Sequence, residues 1–407
     1  MKYLFVACLL CLSVLSAVAK VPAMNKIRLT NNWEYLKGDL GGIWEAVRPA
    51  APGSSEAVPI WQPVTLPHCF NAEDAVDPDV NYYEGPGWYK TLLAIDNPYR
   101  NGRIVLDFDG AGQKTDVYVY TTHVGSHVGG YDSWNVDITD AVKAFLGSKD
   151  AERFKGKVPL SIRCDNSRDL EMIPSDLADF NIYGGLYRYL NLVYLPEVSF
   201  EQIGLESSLS SNLKEGILKV KTSFYNPEDI RKADVTVSVY DVDRKPVFSK
   251  TLEGILPLGD QLLAEMKIKN PVLWDVDVPQ LYTCELTVKT PDQTFTTEER
   301  FGFRHTEFKD KGPFFLNGKR LLLRGTHRHE DHAGVAQAMT EDMMRREMRM
   351  MKDMGVNFIR LGHYQQSEII LDLCDELGIL VWEEIPWCRG GLGGDVYKKQ
   401  ARRMLAN

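Results

Sequence analysis

From about Lys20 to Pro196, apolar and polar positions alternate in short runs broken by Gly, Asn and Asp. Arg103–Phe108, Thr115–Tyr120 and Tyr189–Tyr194 are examples. Alternation with a period of two marks strands with one buried face. Recurring turn residues between such runs predict a jelly-roll sandwich over residues 20–196. The same alternation returns in Gly216–Phe224, Ala233–Tyr240 and Tyr282–Lys289, the last after a Pro-containing turn. About a hundred residues with about seven short strands fit an immunoglobulin-like sandwich, here 197–303.

After Lys311 the period changes. Arg320–Arg324 reads as a strand, and Thr340 caps a helix running to about Asp353 that Gly355 closes. Asn357–Leu361 reads as a strand, Ser367–Leu377 as a helix ending at Gly378, and Ile379–Glu384 as a third strand, with another helix beginning near Asp395. Strand–helix alternation builds parallel sheets with right-handed crossovers. Residues 304–407 therefore predict the start of a TIM (β/α)8 barrel, since a closed one takes about 250 residues. Met343, Met344, Met348 and Met351 read as packing on the barrel wall, not a cofactor box.

The first nineteen residues stand apart. Lys2 precedes an apolar run, Leu4–Leu15, interrupted only by Ser13, and Ala17-Val18-Ala19 has the small-x-small form that signal peptidases cut. The run is too short to span a bilayer. This predicts a signal peptide over 1–19 and export to the periplasm or beyond. A formal charge of −9 without a basic block excludes the electrostatic footprint of a nucleic-acid binder. Beyond the leader, Cys69, Cys164, Cys284, Cys374 and Cys388 are odd in number and far apart. They read as buried small hydrophobes with at most one incidental bridge, not as a disulfide framework or a zinc knuckle.

Half of the eight histidines fall in one window: His327, His329, His332 and His363. His329 follows the first predicted barrel strand, His363 ends the second, and Glu383 and Glu384 end the third. Residues at the C-terminal ends of parallel barrel strands converge on one mouth, where catalysis sits. The blander account is that these groups merely cap strand ends. A sharper rival is the HxHxDH pattern in His327–His332, which in other hydrolases holds a pair of zinc ions. That pattern needs further ligands downstream and does not follow two sandwiches.

A family resemblance emerges from ordered motifs across the whole chain beyond the leader. The first region carries Leu66-Pro67-His68, Gly87-Trp88-Tyr89, Leu106-Asp107-Phe108-Asp109-Gly110, Val128-Gly129-Gly130-Tyr131, and Asp179-Phe180-Asn181-Ile182-Tyr183-Gly184-Gly185-Leu186-Tyr187-Arg188. The second ends with Pro271-Val272-Leu273-Trp274, Pro279-Gln280-Leu281-Tyr282 and Phe301-Gly302-Phe303-Arg304. The third opens with Leu316-Asn317-Gly318-Lys319, Arg324-Gly325, Arg328-His329-Glu330 and Gly362-His363-Tyr364. In these the chain resembles glycoside hydrolase family 2, the β-galactosidase, β-glucuronidase and β-mannosidase group.

The resemblance implies retaining hydrolysis by two glutamates whose carboxyl groups lie about 5–5.5 Å apart. In the family these come from later barrel strands, so both are expected beyond residue 407 and no catalytic residue is assigned within the chain. The resemblance implies substrate binding by Asp179, His329 and His363, with Arg360, Glu330 and Glu384 in support. For Asp179 the competing role is a turn cap, and for Arg360 a structural ion pair. The substrate expected first is a terminal β-galactoside on an oligosaccharide or other glycan, with β-glucuronide or β-mannoside behind it. A non-catalytic carbohydrate-binding fragment is the alternative. No metal site is assigned, although a divalent or sodium ion stays open for a full-length enzyme. Cys388 and Gly390 stand roughly where β-galactosidases place a magnesium-binding Glu and His, and Gln365 replaces a frequent Pro. Self-association into a homo-oligomer is left open.

Overall fold

The computed structural model describes residues 25–49, 59–175, 178–227, 231–387, 389 and 392–406. The predicted leader, Cys388 and Gly390 lie outside the described residues. None of the described helices is long and apolar enough to cross a membrane.

The first sandwich faces a four-stranded sheet against a six-stranded one. The smaller sheet runs in the order Asn25–Arg28, Leu190–Leu195, Arg103–Phe108, Trp134–Asp137; the larger centres on Pro86–Leu93 and Val158–Asp165. Strand Lys114–Val119 shows the cause directly: every second residue, Thr115, Val117 and Val119, is buried. The second sandwich packs a three-stranded sheet, Ser199–Leu209, Glu215–Tyr225 and Gly259–Lys269, against a four-stranded one containing Ala233–Tyr240 and Tyr282–Lys289. In Ala233–Tyr240, Ala233, Val235, Val237 and Val239 are buried while Asp234 is exposed. The four described cysteines are buried and unpaired.

In the third region Gly325–Arg328, Phe358–Leu361 and Leu380–Glu383 form a parallel sheet. The expected first barrel strand at Arg320–Arg324 is corrected here. Lys319–Arg320 instead turns back on Phe315–Leu316 in an antiparallel hairpin, and the parallel strand begins at Gly325, opposite Phe358. A Cβ at Gly325 would lie 2.8 Å from the Phe358 ring, so glycine permits the approach. The helices follow their end signals. The Thr340 hydroxyl accepts from the Met343 N–H, the Ser367 hydroxyl accepts from the Ile369 N–H, and Gly378 closes the second helix at φ 71°. Met344 and Met348 are buried beside Ile359, Leu361, Ile370 and Leu373, as wall packing requires.

The second sandwich braces the barrel's helix Glu368–Leu377. The Trp274 indole donates to the Asp375 carbonyl at 2.9 Å, and Arg300 pairs with both Asp372 and Glu376. Where the first sandwich meets the barrel, burial lifts the Asp109 carboxyl to about 6, with Asp107 and Glu368 adding to the effect. Its folded value lies above the unfolded one of about 3.9, so its contribution to stability is full below about pH 4 and lost as pH rises through 6. Asp109→Asn is therefore expected to stabilise by about 1 kcal/mol at pH 7.5, with the gain vanishing near pH 4. Melting curves at both pH values check this; an equal gain at each sinks it.

Candidate functional site

Parallel register brings the three strand ends level. His327 stands opposite Arg360, and Arg360 opposite Trp382, while Arg328, Leu361 and Glu383 form the next row. Alternation then divides the rows. Arg328 points outward and is buried against Glu347 and Gln366, whereas His327 and Arg360 face inward. The residues that follow the strands, His329, His363 and Glu384, close the same rim.

Arg360 is its hub. The guanidinium grips Glu384 with two hydrogen bonds, 2.7 Å from Nε to Oε1 and 3.1 Å from Nη2 to Oε2. It also lies 3.1 Å from Nδ1 of both His327 and His363, and His363 Nδ1 is 2.9 Å from Glu384 Oε2. Burial raises the Glu384 carboxyl, but Arg360 and His363 outweigh that and hold it below its ordinary value. Glu384 is thus a fixed anion at neutral pH, suited to orienting its neighbours and unsuited to giving a proton. Burial lowers His327, with Arg360 and His363 adding to it, and lowers His329, with His327 and His363 adding. Neutral imidazoles both donate and accept, which fits them to sugar hydroxyls.

The first sandwich supplies the opposite wall. Its segment 179–185 places Phe180 with ring centroids 5.8 Å from His329, 6.0 Å from His363 and 5.2 Å from Tyr364. Tyr183 Oη donates to Asp331 Oδ2 at 2.7 Å, and Asp179 Oδ2 lies 3.0 Å from Arg389 Nε. The glycine pair makes this possible: a Cβ at Gly184 would meet Phe70 at 2.0 Å, and one at Gly185, at φ 125°, would meet the His68 carbonyl at 2.6 Å. The structure therefore gathers Asp179, His329, His363, Arg360 and Glu384 around one mouth. Glu330, expected in support, lies beneath the rim: it is fully buried, with its carboxylate on Arg188. Arg188, Phe180 and Tyr364 stand in the sequence motifs without an assigned role, and His327 enters only as a candidate zinc ligand; pairing Arg188 with a residue so distant along the chain needs the fold.

The two-zinc reading of HxHxDH does not assemble. Asp331 is engaged by Tyr183, and His332 turns its Nδ1 to the Ala333 carbonyl at 3.0 Å. His327, His329 and His363 do converge, with one nitrogen of each within 4.8 Å of the others. However, the Arg360 guanidinium already lies against two of these rings, and a divalent ion there would meet its charge. Purified protein is expected to carry far less than one equivalent of zinc and to keep its melting temperature with a chelator. Stoichiometric zinc lost in His327→Ala would refute this assignment.

Two sandwiches lead into three parallel strands of a barrel, and polar groups from the segment 179–185 of the first sandwich meet those at the strand ends around one mouth, a three-part architecture shared by a family of sugar-binding barrel proteins. The chain belongs to glycosyl hydrolases family 2. Residues 40–196 match the family's sugar binding domain, 198–304 its central family model, and 307–396 its TIM barrel domain. The chain is 33% identical to a β-glucuronidase of Bacteroides fragilis over 81% of its own length and 47% of that protein. A crystal structure of Parabacteroides merdae β-glucuronidase with glycerol in its active site superposes with a TM-score of 0.93 at 99% identity, covering 95% of this chain and 49% of that one. Bacteroides uniformis β-glucuronidase 3 gives 0.89 at 58% identity, covering 95% and 49%. The chain thus spans about half the length of the relatives it matches.

Proposed function

We propose that the protein carrying this chain is a retaining β-glycosidase that removes terminal β-glucuronides. The observation that carries this reading is the 99% identity to a protein named β-glucuronidase, and it replaces the β-galactoside expected from motifs alone. In this reading Asp179, His329 and His363 hold the sugar. Arg360 and Glu384 fix the imidazoles, and Glu330 acts from beneath. Later barrel strands supply the acid and the nucleophile. The apolar leader supports export to the periplasm or beyond, where glycan conjugates are met.

The test compares kcat/KM on nitrophenyl β-glucuronide, β-galactoside and β-mannoside, in a protein carrying this chain with the rest of the barrel found in its relatives. A site built to bind a C6 carboxylate leaves buried polar groups unpaired with the other two sugars, so the ratio should exceed about a thousand. Preference for galactoside or mannoside overturns the reading.

A further inference from the structure

Arg188, at the end of the first sandwich's Asp179–Arg188 motif, is buried, with 2% of its side chain exposed, yet all its donors are engaged. Nε and Nη2 donate to Glu330 Oε2 at 3.0 and 2.5 Å, and Nη2 also donates to the Gln365 carbonyl at 2.6 Å. Nη1 donates to the Tyr131 and Asp109 carbonyls at 2.9 and 3.2 Å. Gly110 leaves the space: a Cβ there would lie 2.9 Å from Arg188 Cδ. One side chain of the sandwich therefore ties together the loops that follow two barrel strands. Glu330 is the neighbour of His329, and Gln365 lies two residues beyond His363. Tyr364 closes the unit, accepting from the Glu330 N–H at 3.0 Å while stacking on Tyr131 at 4.1 Å.

Stability does not account for this arrangement. A buried ion pair is weak evidence of stabilisation, because removing both charges from water costs as much as their attraction returns. Here Glu330 Oε1 is buried with no protein partner, which adds to the cost. What the pair does supply is rigidity between two loops and the sandwich. We propose that Arg188 is a positioning residue: acting through Glu330 and the Gln365 carbonyl, it sets where His329 and His363 meet the sugar ring. This rests on the glycosidase reading above.

The test uses Arg188→Met and the double variant Arg188→Met/Glu330→Met, in the protein with the complete barrel, assayed well below both melting midpoints. The single variant strands a buried carboxylate and should melt lower under any account. The double variant removes both charges and should recover most of that loss. If Arg188 positions the histidines, kcat of the double variant stays roughly 30-fold down while KM moves less than about threefold, the pattern of contacts that tighten in the transition state. The ring resonances of His329 and His363 should shift in the same variant. Recovered melting with wild-type kcat and unchanged resonances overturns the proposal and leaves the pair as packing. A wild-type protein inert toward every β-glycoside sinks the function reading instead, and the resonances alone then decide for or against positioning.

Discussion

The 407-residue polypeptide, purified by itself, is expected to release no nitrophenol from any aryl β-glycoside above background. Retaining hydrolysis places two carboxyl groups about 5–5.5 Å apart on opposite sides of the anomeric carbon, one to protonate and one to attack. The glutamates at and beneath this rim are committed elsewhere. Glu384 is held ionised by Arg360 and His363, Glu383 accepts from the Gln366 N–H at 3.1 Å, and Glu330 is sealed beneath Arg188. A missing general acid alone costs about a hundred- to ten-thousandfold, and a missing nucleophile removes the covalent route as well. The check is turnover of nitrophenyl β-glucuronide and β-galactoside by the polypeptide beside a blank. Activity that disappears in Glu384→Gln would put the catalytic machinery on the third barrel strand and overturn the assignment.

Much of the scaffold could be read from the chain because its causes are local. Alternation along Lys114–Val119 and Ala233–Tyr240 tracks burial residue by residue. Thr340, Ser367 and Gly378 sit at the helix ends their side chains or backbone freedom predict. The first barrel strand was misplaced because Arg320–Arg324 carries an adequate apolar run, while the choice between hairpin and parallel sheet is made by partners elsewhere: Phe315 for one, Phe358 for the other. The rim was legible for a related reason. His329, His363 and Glu384 follow strands whose parallel register any barrel imposes. The pairing of Glu330, expected only in support, with Arg188 was not, since nothing near either residue announces a buried ion pair across 142 positions. Phe180 was hidden in the same way, an ordinary apolar residue until the fold lays it among His329, His363 and Tyr364.

In a protein with the complete barrel, Asp179→Ala is expected to lower kcat/KM by about 2–4 kcal/mol, roughly 30- to 1000-fold, the scale of a charged hydrogen bond used in the transition state. The motivating geometry is the segment around it. Phe180 is wedged among the rim's rings, Tyr183 is tied to Asp331, and the glycine pair, with no Cβ to meet Phe70 or His68, lets the segment pack there. Asp179 is then presented on a supported segment next to His329, with Arg389 beside it. On the proposed reading, a carboxylate so placed would accept from sugar hydroxyls, and those bonds would tighten as the ring flattens. Folding should change little, because the side chains of Asp179 and Arg389 are 31% and 74% exposed, and such surface pairs contribute about 0–1 kcal/mol. Arg389→Ala is the control: it breaks the same ion pair yet should leave kcat/KM within a few-fold if Asp179 itself meets the sugar. Kinetics are measured beside melting curves for both variants. Normal kcat/KM with a lowered melting temperature in Asp179→Ala would make this residue a turn cap, and the first sandwich no more than a brace for the barrel.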